Sequence, residues 1–357
     1  MCKKIHRGGN AEQYHADKKY KEAVAVAVEA CADDTKGQTC YIRTEAVVRR
    51  TGEGLVSGFC ACRGGSSYAH VSCLAEQAKV AVEEALQNRY EGQRFQSRWD
   101  RWAGCALCGQ EYHGDVNCAL SWACWKTYVG RPDGDRVKNF GLMMLGAGLL
   151  GVSKLEEALA VNKTNLEFLS RCSGAPRDTV LAIRSNMTNC LSGLKRHEEA
   201  LELERECYAD NVDLYGENSA HTLSNAVNFA MMLKDCGHVA EATAFLRDRA
   251  PAARRTLGED HRDTIKLTAY LGEVLVFTED AAIEDMTIGQ KYLEEASRKC
   301  QRVFGPEHFL TETYQRLAFV ASRMSVYVQA GVPYTGAWTL REGAKSGDVP
   351  FEPKWAK

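Results

Sequence analysis

Apolar residues recur every three or four positions through most of the second half of the chain, the period of a helix that buries one face. The stretches KRHEEALELERECYADNVDLYG and HVAEATAFLRDRAPAARRTLG show it clearly, and each ends on a glycine suited to a helix C-cap. The stretches before them, TVLAIRSNMTNCLSGL and TLSNAVNFAMMLKDCG, are also apolar along one face. The spacing therefore predicts helix pairs, and the pairs repeat. Ala158, Ala200 and Ala242 fall 42 residues apart, as do Glu157, Glu199 and Glu241. Gly174, Gly216 and Gly258 keep the same period, and Gly305 follows 47 residues on. That longer step implies about five extra residues near Ala281–Thr287. Thr179, Thr222, Thr264 and Thr311 lie five or six residues past those glycines. Units that cannot cover their apolar faces alone must stack, so this half is expected to be an α-solenoid. The small alanine lets paired helices approach, and only 7 prolines in the chain suit a mostly helical protein.

The joints LYGENSAHT, LGEDHRDT and VFGPEHFLT, with the LxxxxxxEEA core, resemble tetratricopeptide repeats of the kinesin light chain type over residues 137–326. The resemblance implies a mostly α fold of stacked helix pairs with a closing helix. It also implies a groove, lined by the first helix of each pair, that takes a protein or peptide ligand. Asparagine amides in such grooves hold an extended peptide backbone, and Asn186, Asn189, Asn225 and Asn228 stand on the matching helices. The plainer alternative is that these asparagines bond neighbouring helix ends or face water.

The first third follows another pattern. Residues 1–35 hold one helical segment, about Ala11–Ala32, that reads as a docking or capping helix. Three short ligand pairs come next: Cys60-x-Cys62, His70-x-x-Cys73 and Cys105-x-x-Cys108. Two such residues separated by one or two others can turn toward one ion, and zinc takes four of them at tetrahedral corners. Of 15 cysteines, ten fall within residues 1–124; an odd count without a secretion signal points to a reducing compartment and to metal binding. Cys172, Cys190, Cys207, Cys236 and Cys300 sit singly in helical patterns and read as small core residues. His113, Cys118 and Cys124 could form a third metal site, but a buried aromatic and cysteine helix explains YHGDVNCALSWACWKTYVG better.

FCACRGGSSYAHVSCL followed by WAGCALC resembles the RING-CH (RING-variant) zinc finger, over residues 36–128. The resemblance implies two interleaved zinc sites. Cys60, Cys62, Cys105 and Cys108 would make one complete site. Cys40, His70 and Cys73 would make three corners of the other, because Arg43 stands where the family has a cysteine. Guanidinium has no lone pair to give a metal. Water, Glu45 or Cys31 are the conceivable fourth ligands, so one ion is implied and a second depends on a substitute. The family pattern is also interrupted by AEQAKVAVEEALQNRY, read as an inserted helix, and Trp99 and Trp102 take the apolar role of an absent tryptophan. Gly109 and Gln110, rather than a basic residue, follow Cys108.

A formal charge of −2 and the lack of a basic stripe give no reason to expect nucleic acid. MCKKIHRGG lacks the apolar core of a signal peptide. Phe140–Val152 is too short to span a bilayer and reads as a buried helix, so a soluble cytoplasmic protein without membrane contact is expected. No phosphate loop, nucleophile elbow or zinc-protease motif is present. Two functions fit. One is a protein-binding adaptor with a partly degenerate finger, favoured by Arg43 and the long interval between Cys73 and Cys105. The other is a RING-type ubiquitin ligase in which the repeats recruit the substrate and Ile42 contacts a ubiquitin-conjugating enzyme. Residues 327–357 are left as a tail.

Overall fold

The computed structural model describes residues 11–171, 176–278, 281–306 and 308–329, the side chains of 326–329 excepted. Cys172, Gly174, the start before Ala11 and the tail beyond Gln329 lie outside them. Among the described residues the regular structure is α-helical, with short 3-10 turns and three isolated β-bridges. The chain divides into two compact units, the first ending at Arg196 and the second starting at His197.

The first unit holds α1 (Ala11–Ala30), α2 (Val71–Gln87), α3 (Gly92–Trp99) and α4 (Gly114–Tyr128), then α5 (Arg136–Gly151), α6 (Leu155–Ser170) and α7 (Arg177–Gly193). An irregular segment joins α1 to α2 and is pinned by the antiparallel bridges Val48–Glu53 and Val56–Ala69. Helix α4 is buried on nearly every side, packing on α1 and on α5. Its cysteines 118 and 124 are core residues, as the helical reading of that stretch expects. Phe95, Trp99, Trp102 and Tyr128 gather with Phe140 of α5 into one aromatic core. Trp102 is fully buried and donates its indole N–H to Tyr128 Oη at 3.4 Å. Helix α5 is the apolar Phe140–Val152 stretch, and its glycines have a packing cause: a Cβ at Gly148 would collide with Ser121 of α4, and one at Gly146 would lie 2.8 Å from the Asn162 amide of α6. The Asp135 carboxylate caps this helix by accepting from the backbone N–H groups of Val137 and Lys138.

The second unit is a stack of helix pairs: α8 (His197–Tyr215), α9 (Ala220–Asp235), α10 (Val239–Leu257), α11 (Arg262–Phe277), α12 (Ile283–Phe304) and α13 (Phe309–Gln329). Each helix packs chiefly on the ones next to it in sequence. The periodic markers now have physical roles. Gly216, Gly258 and Gly305 all take positive φ, between 83° and 94°, which L side chains avoid. In two of these three places the threonine six residues later returns its hydroxyl to the glycine's carbonyl, Thr222 to Gly216 and Thr311 to Gly305, both at 2.8 Å, whereas the buried Thr264 hydroxyl after Gly258 makes no such bond. Ala200 and Ala242 are fully buried against their neighbours, like Ala158 in the first unit. One period later the place is taken by Gly289, where a Cβ would lie 2.7 Å from the carbonyl oxygen of Gly272, so α11 and α12 meet backbone to backbone. The extra residues before Thr287 go partly into helix: α12 has 22 residues against 19 in α8 and in α10. The last helix runs to Gln329, into the first residues of the expected tail.

Candidate metal centre and repeat face

Two groups of metal-ligating side chains converge among the described residues, and both lie in the first unit. The sulfurs of Cys60, Cys62, Cys105 and Cys108 all fall within 4.8 Å of one another. Cys62 Sγ and Cys105 Sγ are 3.7 Å apart. Four thiolates at about 2.3 Å from a tetrahedral zinc stand about 3.8 Å apart, so this donor set and spacing fit that ion. Burial pushes the Cys60 and Cys62 thiols up. Cys108, at the solvent edge, is brought down to about 6, chiefly by the backbone N–H of Gln110. Packed thiols that resist ionising together are the condition a divalent cation relieves.

The second group is Cys40, His70 and Cys73, all buried. His70 Nδ1 lies 3.6 Å from Cys73 Sγ, and its Nε2 lies 3.4 Å from the carbonyl oxygen of Ala46. Burial, and next the nearness of Cys40, raises the Cys73 thiol to about 11, while the Arg43 charge acts in the opposite direction. The conceivable fourth ligands turn elsewhere. Cys31 donates its S–H to the Ser57 carbonyl at 3.5 Å, and the Glu45 carboxylate pairs with Arg49 at 3.5 Å. Neither joins the cluster, which corrects the expectation that one of them could close it. His113, Cys118 and Cys124 form no third cluster.

The two groups share a loop design. Cys105 N–H donates to Gln110 O at 2.9 Å, Gly109 N–H to Cys105 O at 3.0 Å, and Leu107 N–H to Cys105 Sγ at 3.4 Å. Cys40 repeats this at the same offsets: its N–H donates to Glu45 O at 2.9 Å, Thr44 N–H to Cys40 O at 2.7 Å, and Ile42 N–H to Cys40 Sγ at 3.4 Å. Gly109 and Thr44, at matching places, both take positive φ. By this register Arg43 stands where the other loop carries Cys108, and Ile42 where it carries Leu107. Ile42 is half-buried, whereas Leu107 is 58% exposed. Leu107 adjoins the loop residues Gly104 and Ala106, which line a shallow cleft with Leu74, Gln77 and Ala81 of α2 and with Arg101 and Tyr112. Sequence reasoning picks Ile42 and misses Leu107, although both occupy the same place within their ligand pairs.

The asparagines divide between the units. Asn186 and Asn189 are half-buried on α7, and Asn228 is half-buried on α9. Asn225 is a correction: it is only 9% exposed and donates to the buried Glu204 carboxylate of α8 at 2.6 Å, so its amide belongs to a helix-pair core rather than to a groove. The outward stripe of α9 carries Ser224, Asn228 and Lys234, and that of α11 carries Lys266, Tyr270 and Glu273. Lys234 joins the two helices, pairing with Glu273 at 2.5 Å and lying 4.9 Å from the Tyr270 ring centre. Ser224 donates to Asp263 of α11 at 2.5 Å. Burial lowers the Lys266 ammonium below the usual lysine range.

Residues 222–263 match the family model for the tetratricopeptide repeat. The matched segment spans one period of the sequence pattern, from Thr222 in α9 through α10 to Asp263 in α11. No curated protein matches the chain. Among solved structures, the nearly identical TPR-like repeats of a kinesin light chain from Podosopora anserina share 14% identity, covering 65% of this chain and 97% of theirs, with a TM-score of 0.43. BtubC (BKLC) from P. vanneervenii shares 12% identity, covering 77% of this chain and 97% of its own, with a TM-score of 0.44. The described residues are mostly α, and residues 222–263 form a repeat of tetratricopeptide type, a design suited to protein–protein interaction. No described helix is long and apolar enough to cross a membrane.

Proposed function

We propose that this protein is a binding adaptor: its tetratricopeptide-type unit holds a protein or peptide ligand, and its amino-terminal cysteine cluster holds one structural zinc. The observation that carries the first part is the polar and aromatic stripe of α9 and α11, set on a scaffold whose repeat matches a family of protein-binding modules. Lys234, Tyr270 and Glu273 are already oriented by one another, so little side-chain freedom is lost when a ligand settles there. Zinc would be held by Cys60, Cys62, Cys105 and Cys108. With four protein ligands it supplies folding free energy and leaves no open position for chemistry. The test compares partners recovered by proximity labelling with the natural chain and with a Lys266→Ala, Tyr270→Ala variant that keeps its helical content. Specific loss of the same partners supports the adaptor; an unchanged partner set sinks it.

A second reading, a RING-type ubiquitin ligase, rests on exposed Leu107 beside the α2 cleft, an apolar contact of the kind a conjugating enzyme uses. Ile42 and Leu107 would then face that enzyme together. Self-ubiquitination with a panel of conjugating enzymes, abolished by Leu107→Ala, is the result this reading requires; no activity with any of them removes it.

A further inference from the structure

We infer that the Cys40–His70–Cys73 cluster takes no structural zinc, because Arg43 stands where a fourth ligand would, so that half of this finger keeps its shape without the metal. The inference deepens the one-zinc reading above, but it rests on the second cluster alone. The loop match puts Arg43 at the place in its loop that Cys108 holds in the complete site. The exposed Arg43 acts electrostatically on Cys73, against the effect of burial. The remaining donors and acceptors are met within the protein. Cys73 reaches His70 Nδ1, the far His70 nitrogen reaches the Ala46 carbonyl, and Cys40 Sγ accepts from Ile42 N–H. A divalent cation would have to enter beside a fixed positive charge, and the cluster offers it three ligands where a structural zinc takes four. Cys31 and Glu45, the nearest substitutes, are engaged with Ser57 and Arg49. The loop that presents Ile42 therefore does not depend on metal supply, whereas the loop that presents Leu107 does.

Cobalt(II) titration of metal-free full-length chain tests this, following the visible bands of thiolate-bound cobalt. The natural chain is expected to saturate at one equivalent and an Arg43→Cys variant at two. Two equivalents in the natural chain overturn the inference, as does an Arg43→Cys variant that gains none. Zero in the natural chain defeats the four-cysteine reading instead, and the inference is still judged by whether Arg43→Cys gains one. Should that variant fail to fold, the ring-nitrogen resonances of His70 in the natural chain decide: unmoved on adding cobalt or zinc supports the inference, and a shift of Nδ1 to a metal-bound position overturns it.

Discussion

The two units reach their order by different routes. In the second, one small device is used again and again: a left-handed glycine, a threonine six residues on that caps it at Gly216 and Gly305, and a small residue where the paired helices touch. Each copy is local, so damage to one copy is shared with few others. In the first unit the ordering contacts are single-use and join distant parts of the chain. Cys62 meets Cys105, Trp102 meets Tyr128, and Gly148 of α5 lies against Ser121 of α4. Losing one of these removes something that no neighbouring repeat supplies. Repetition thus spreads stability over many small terms, while long-range closure concentrates it in a few.

The sharpest way to break this contrast is at the cysteines. Cys105→Ser, or zinc chelation, is expected to cost the first unit much of the roughly 10 kcal/mol that a structural zinc supplies in small modules. Near-ultraviolet dichroism of the tryptophans should collapse while most helical signal from the second unit remains. Trp102→Ala comes next, at about 3–5 kcal/mol by denaturant unfolding, since it empties a fully buried site among aromatic rings. Thr222→Val keeps the shape of the side chain but strips the carbonyls of Gly216 and Asn211 of their donor, a loss of about 1–2 kcal/mol confined to exchange protection around α9.

Asp135→Ala should cost about 1 kcal/mol near neutral pH, as the loss of a helix cap does. Although burial opposes it, hydrogen bonds from Arg131 and from the N–H groups of Val137 and Lys138 hold this carboxyl below its usual range. A depressed folded value stabilises above the ordinary one and is lost as pH falls through it. The gap between variant and natural chain, measured in denaturant, should therefore narrow below about pH 4. Smallest of all is Arg205→Ala: its bidentate pair with Glu241 is exposed, so less than about 1 kcal/mol is expected, and 1 M salt should hide it. A second-unit substitution as costly as Cys105→Ser would dissolve the contrast.

What can be read from the amino-acid sequence follows the same divide. The helix pairs of the second unit are legible because their period imprints Ala, Gly and Thr at fixed offsets. Even so, the pattern does not reveal that Asn225 turns inward, since only the buried Glu204 of α8 decides that. The ligand pairs of the first unit stand out by spacing, and the two all-cysteine pairs lie beside each other in the fold. The fate of Arg43 is not legible, because the thiol its charge acts on, Cys73, lies 30 positions away. Nor is the exposure of Leu107, which local sequence makes equivalent to half-buried Ile42.

The matched loops at Cys40 and Cys105 have an evolutionary side. Codons for arginine and cysteine can differ by a single base, and the backbone around Arg43 already has the form of the cysteine-bearing loop. On the one-zinc proposal, a second four-ligand set would lie one point mutation from this chain, with no insertion or deletion needed to make it. Descendants could acquire or lose dependence on zinc at that loop without passing through a misshapen intermediate.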